Sequence, residues 1–201
     1  MTHGSDTTTV HLAVYDTLAD WETGHATAWL ARAGHTVRTV GPVAGEPVTT
    51  LAGIRIVPDL TLDDLRPEDS ALLILPGAET YDEGDELAPF SAKARAFLDA
   101  GVPVAAICGA TAGLAREGLL DDRRHTSAAS FYLAATGYGG AGHYVEADAV
   151  RDGDLITAGP TEPVAFAREI FARLGAYEGK RDAWFRLFHD SDPAAFAELN
   201  G

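Results

Sequence analysis

Residues 103–115 read Pro-Val-Ala-Ala-Ile-Cys-Gly-Ala-Thr-Ala-Gly-Leu-Ala, and they leave the surrounding fold little freedom. The apolar run 102–107 has the character of a buried strand. It ends on Cys108, the only cysteine in the chain, and passes at once into Gly109-Ala110-Thr111-Ala112 and a helix-compatible stretch reaching Glu117. A strand that turns sharply into a helix with a nucleophilic side chain at the turn is a nucleophile elbow. Small residues suit it, because the tight turn tolerates little bulk and often holds the nucleophile at a strained backbone position. A cysteine at a helix N-terminus is expected to favour thiolate over thiol. A lone cysteine after an apolar run otherwise serves as a small buried hydrophobe; here the strand-Cys-Gly-Ala-Thr-helix context favours the reactive reading. A single cysteine also excludes an internal disulfide and fits a reducing, cytoplasmic setting.

The chain around this elbow alternates strands and helices. Residues 10–15 form a strand, residues 21–33 a helix stopped by Gly34, and residues 36–40 a second strand. This β-α-β opening argues for a parallel sheet with right-handed crossovers. Residues 71–75, Ala-Leu-Leu-Ile-Leu, are uninterruptedly apolar, as a central strand buried on both faces requires. Residues 47–51 and 54–57 are expected to form a small hairpin at the sheet edge, and residues 60–65 a helical turn. Further helices are expected at 90–100, 128–135 and 162–174. Short strands are expected near His125 and at 144–146, 149–151 and 155–157, with a glycine-rich loop at 137–142. The aromatic tail, residues 181–199, supplies core or dimer contacts. The polar residues 1–9 are expected to be a disordered tail and not a signal peptide. With 201 residues, no repeat and no linker, one domain follows.

Thirty acidic residues against fifteen basic ones give a net charge of −15, which repels phosphate backbones. Nucleic acid is therefore not an expected partner, no apolar run is long enough to span a membrane, and neither a cofactor nor a metal is expected. In an open α/β sheet, ligands bind at the carboxyl ends of the strands. The loop after the first strand, the Pro76-Gly77-Ala78 turn and Cys108 meet there. Gly77, Ala78 and Gly109 are the candidates to frame an oxyanion site, with the N–H groups of Ala78 and Gly109 as donors. Glu22, ahead of Asp16 and Asp20, is the candidate acid. Among seven histidines, His125 is the first candidate to carry a proton and His143 the second.

These motifs together resemble the ThiJ/PfpI superfamily, the class I glutamine-amidotransferase-like proteins that include the parkinsonism-associated protein deglycase. Glu22-Thr23 with Arg32-Ala33-Gly34, the turn Leu75-Pro76-Gly77-Ala78, the elbow Ala106-Ile107-Cys108-Gly109-Ala110-Thr111, and the late segments Gly142-His143-Tyr144 and 152–157 carry the likeness over residues 10–175. The aromatic tail is similar to that of the bacterial protease or amidotransferase-like branch, and residues 176–201 would extend the same domain. The resemblance implies a single-domain α/β fold, a flavodoxin-like three-layer sandwich with a mostly parallel central sheet and a nucleophile elbow. It implies Cys108 as nucleophile or redox cysteine, Glu22 as the acid that hydrogen-bonds it, a small-molecule substrate and a homodimer. Protease-type members place a histidine directly after the cysteine; Gly109 stands there, which argues against a Cys-His protease. The implied activity is a cysteine-dependent hydrolase or a glyoxalase/deglycase-type reaction on a small amide or carbonyl compound. The alternative is a redox stress-response protein that is oxidised at Cys108.

Overall fold

The continuous apolar runs become the centre of the sheet. The computed structural model describes residues 8–43 and 45–200. In chain order the elements are β1 (Thr9–Ala13), α1 (Gly24–Arg32), β2 (Thr36–Gly41), β3 (Val48–Thr49), β4 (Arg55–Ile56), β5 (Leu60–Thr61), β6 (Leu72–Leu75), α2 (Thr80–Glu83), α3 (Ala88–Asp99), β7 (Val104–Ile107), α4 (Gly109–Arg116), α5 (Ser130–Ala134), β8 (Ala149–Asp152), β9 (Leu155–Ala158), α6 (Pro163–Leu174), α7 (Arg181–His189) and α8 (Ala194–Asn200). The main sheet has seven strands in the order β5-β2-β1-β6-β7-β9-β8, parallel except for the β8–β9 pair.

Alternation of side chains along each strand splits the core in two. Leu73, Leu75, Val104 and Ala106 pack under Phe90, Phe97 and Leu114 of α3 and α4. Leu72, Ile74, Ala105 and Ile107 pack on the other face against Leu30, Phe166, Phe171 and Trp184 of α1, α6 and α7. Both faces being covered, every residue of β6 and β7 is buried, and the fold is a three-layer α/β sandwich.

The helix α4 runs through the middle of this packing, with Gly109 to Ala115 all buried. Its small residues are a packing requirement. A β-carbon on Gly113 would lie 2.5 Å from Ser91 Oγ and 2.6 Å from Tyr81 Cε1. Gly113→Ala is therefore expected to destabilise the protein by about 1–3 kcal/mol through overpacking, lowering Tm in a thermal melt.

Several expectations need correction. The first helix starts at Gly24 and not at Trp21, with Thr23 at its N-cap, so Glu22 sits in the turn before it. The turn expected over residues 60–65 shrinks to 62–64, closed by the Asp64 N–H donating to Thr61 O at 3.2 Å, while Leu60 and Thr61 pair with Val40 and Gly41 as an edge strand. Asp59 fixes that docking by accepting the Thr39 N–H at 2.7 Å and the Thr39 hydroxyl at 2.8 Å. The strands expected near His125 and at 144–146 reduce to one bridge between His125 and Tyr144. Residues 1–7 of the expected tail lie outside the described residues, and Thr9 already belongs to β1. In the aromatic tail, Trp184 is fully buried core whereas Phe196 is exposed. Among the described residues, no helix is long and apolar enough to cross a membrane.

Candidate active site

Three neighbouring strands, β1, β6 and β7, end at one place, and the segment leaving each supplies a wall of a pocket of about 280 Å³. From β7 comes Cys108, half-buried, at φ 56° and ψ −126°. A non-glycine residue there carries strain of order 1–3 kcal/mol, which the surroundings must hold. They do so from both sides. The Cys108 N–H donates to Ala158 O at 3.0 Å, continuing the ladder to β9. Its carbonyl accepts both the N–H and the hydroxyl of Thr111, at 3.0 and 2.6 Å. The elbow expected from the small residues is therefore present in the backbone.

From β6 comes the turn Pro76-Gly77-Ala78, and from β1 the loop that carries Glu22. Glu22 is completely buried, and its Oε2 accepts the Gly77 N–H at 2.5 Å. A β-carbon on Gly77 would lie 2.8 Å from Cys108 Cβ and 3.0 Å from each Glu22 carboxylate oxygen. Cys108 and Glu22 thus face each other across the one residue that has no side chain. Tyr15, also buried, donates its hydroxyl to Pro76 O and lies 3.2 Å from the Tyr81 hydroxyl, which locks the turn from below.

Asp16 and Asp20, the weaker candidates for the acid, have another task. Asp16 accepts the Thr49 N–H at 2.7 Å, and Asp20 accepts the Ala52 N–H at 2.8 Å. They clasp the β3–β4 hairpin onto the loop after β1. The hairpin is therefore a wall of the pocket, contributed through Leu51, and not an excursion at the edge.

Burial lifts the Glu22 carboxyl to about 7; the hydrogen bonds from Gly77 and Cys108 pull the other way and lose. Burial also pushes the Cys108 thiol up to about 12, followed by the charge of the Glu22 carboxylate and the hydrogen bond to it, with the Gly109 N–H opposing. This corrects the expectation that the helix N-terminus leaves a free thiolate: desolvation and a facing carboxylate outweigh it. Two of the causes acting on Cys108 belong to ionised Glu22 and vanish when Glu22 is protonated. The two ionisations are therefore coupled, and a proton on Glu22 removes both causes and favours the thiolate. Glu22 Oε1 is buried and has no fixed donor.

Gly77, Ala78 and Gly109 all line the pocket beside Cys108. His125 does not. Its Nδ1–H donates to Arg123 O at 2.7 Å, its Nε2 accepts the Tyr138 hydroxyl at 3.1 Å, and Tyr138 and Tyr144 flank the ring. Burial lowers its pKa, so this is a neutral, structural histidine with both ring nitrogens engaged. His143 is exposed and, like His125, is not among the residues lining the pocket. Two groups without a motif signal do line it: Asp82 of α2 and Tyr132 of α5, whose hydroxyl donates to Asp82 Oδ1 at 2.8 Å.

Residues 8–173 match the profile of the DJ-1/PfpI family. The chain belongs to the DJ-1/PfpI family. Among its DJ-1/PfpI relatives is a Bacillus subtilis protein named "Uncharacterized protease YoaZ", 38% identical over 201 residues that cover 94% of this chain and 95% of the relative. Escherichia coli "Protein/nucleic acid deglycase 2" is 30% identical over 150 residues, covering 72% of this chain and 85% of the relative. The crystal structure of a ThiJ/PfpI family protein from Bacillus anthracis superposes with a TM-score of 0.90 at 35% identity, covering 96% of this chain and 95% of that one.

Proposed function

We propose that this protein is a cysteine-dependent enzyme acting on a small carbonyl or amide compound, by hydrolysis or by a glyoxalase/deglycase-type reaction. The observation that carries this is the facing pair of Cys108 and Glu22 at the floor of a pocket of about 280 Å³, with the thiol held on a strained elbow. As the sulfur attacks the carbonyl carbon, Glu22 Oε1 takes the thiol proton. The N–H groups of Ala78 and Gly109 receive the oxyanion, and Glu22 returns the proton to that oxygen or to a departing amine. A carboxyl near 7 suits both halves of this exchange at neutral pH. The names of the relatives, a protease and a deglycase, agree with chemistry at a carbonyl carbon. A Cys-His protease mechanism has no support, since Gly109 follows Cys108 and no histidine among the described residues lines the pocket.

The test is a screen of short aldehydes, dicarbonyls and amides with the intact protein and with Cys108→Ala. Turnover that the substitution reduces to background is the expected result. Equal turnover by both forms, or none by either across the panel, overturns the reading.

The unpartnered Glu22 Oε1 favours one second reading. A protonated Glu22 carboxyl would donate to an oxygen of a Cys108 sulfinate and hold the protein in that form after peroxide exposure. Stable addition of two oxygen atoms at Cys108, seen by mass spectrometry in a protein that turns over no carbonyl compound, would favour this alternative.

A further inference from the structure

We propose that the pocket selects small carbonyl or amide compounds that carry a positive charge, and that Asp82 is the residue that receives it. The inference rests on the proposed function in that it takes Cys108 as the reacting atom. Glu22, Glu79 and Asp82 all line the pocket, and among the described residues no lysine, arginine or histidine does. Neither Glu79 nor Asp82 takes part in an ion pair among the described residues. Tyr132 donates to Asp82 Oδ1, which orients this exposed carboxylate where it lines the pocket. The negative charge of Asp82 is felt at the Cys108 sulfur. Arg116, the cation behind α2, donates to Tyr81 O and lines a separate cavity. Its charge reaches the Tyr132 hydroxyl, but its side chain does not line the pocket.

The rest of the lining sharpens the effect. Ala19, Leu51, Ala78 and Ala128 are apolar, and apolar walls focus the field of the charges set among them. Trp21 also lines the pocket and is half exposed, so its ring offers a face to a cation. Glu22 Oε1 is a buried acceptor without a donor at the pocket floor. An anionic substrate, whether a carboxylate or a phosphate ester, would meet three acids and no base. A compound with an ammonium or guanidinium a few bonds from the carbonyl would place its charge at Asp82 and its carbon at Cys108.

Methanethiosulfonate reagents of one size and opposite charge test this without knowledge of the substrate. Cys108 is modified at neutral pH with the aminoethyl, the sulfonatoethyl and the neutral methyl reagent. Each rate is divided by that of the same reagent with 2-mercaptoethanol. The corrected cation-to-anion ratio is expected to be about tenfold at low ionic strength and to fall towards one at about 1 M salt, where the screening length shrinks to about 3 Å. Asp82→Asn should lower the ratio several-fold, while the neutral reagent's rate rises modestly because Cys108 ionises more easily without that charge. Asp85→Asn, in the neighbouring cavity, should leave both unchanged. A ratio at or below one, or one insensitive to salt in the unmutated protein, overturns the charge selection and leaves Cys108 as the reactive group. A ratio that Asp82→Asn does not move overturns the role of Asp82. No modification by any of the three reagents in the folded protein, with full modification in denaturant, overturns both this inference and the proposed function.

Discussion

Replacing Gly77 with alanine is expected to reduce turnover by about a hundredfold or more while the sheet still folds. The reason is space and not backbone conformation, because Gly77 is not among the residues with positive φ. The added methyl would lie 2.8 Å from Cys108 Cβ, closer than such contacts allow, and 3.0 Å from both Glu22 oxygens, which would have to give by a few tenths of an ångström. Neither neighbour can yield cheaply. Cys108 is tied to Ala158 and Thr111 through its backbone, and Glu22 is completely buried and bonded to the Gly77 N–H. The turn itself is pinned by Tyr15 at Pro76. The methyl must therefore push the thiol and the carboxyl apart, and the proton exchange depends on their approach. Overpacking of this kind costs about 1–3 kcal/mol, or about 2–12 °C in Tm for a chain of this size. Kinetics on a substrate from the screen, together with a thermal melt, check both parts. Turnover within threefold of the unmutated protein would show that Cys108 and Glu22 do not act together. Ala78→Gly, which removes a methyl and keeps the N–H, is the matched control.

What could be read ahead of the structure divides along physical lines. Leu72–Leu75 and Val104–Ile107 were legible because strands buried on both faces admit only apolar residues, whatever their partners. The elbow was legible because a tight turn and a close helix both demand small side chains. The edge strand Leu60–Thr61 was not, since two residues carry no periodicity and Asp59 and Thr39 set the pairing from distant parts of the chain. The four-residue helix Thr80–Glu83 escaped for the same reason, and Asp82 with it. Asp16 and Asp20 have the residue type of an acid, yet they spend their carboxylates on backbone N–H groups of the hairpin. His125 has the residue type of a proton carrier, but its ring lies between two tyrosines with both nitrogens engaged. Residue type marks what a side chain is able to do; only packing decides which groups share a cavity.

The pair at the pocket floor shows the same limit in its electrostatics. A helix N-terminus favours thiolate, and that much is visible in the order of residues. The burial of Glu22 opposite the thiol is not, because the turn that buries it is built from β1, β6 and β7 together. Removing the carboxylate's charge is therefore expected to release Cys108, whose pKa should fall once two of its three largest upward causes are gone.

Glu22→Gln makes that change with little change of shape, and it is expected to move stability as well as turnover. The ordinary carboxyl value is 4.5, and burial lifts Glu22 to about 7 in the folded chain. Between these values the folded protein keeps a proton that the unfolded chain has released. Stability therefore falls as pH rises from about 4.5 to about 7 and stays lower above it. The full loss is of order 3 kcal/mol, or about 6–12 °C in Tm. Glutamine has no proton to lose, so its protein should melt higher than the unmutated one at pH 8 and near it at pH 4. A gain in Tm that does not change with pH would show that Glu22 titrates normally. Turnover should drop by a factor of about 10² to 10⁴, since an amide cannot carry the proton. Alkylation of Cys108 at pH 8 should meanwhile become faster, because no carboxylate faces the forming thiolate. Higher stability, a more reactive thiol and lost turnover in one variant would mean that the fold bears a buried acid at a cost in stability, and that the acid serves proton movement and not packing.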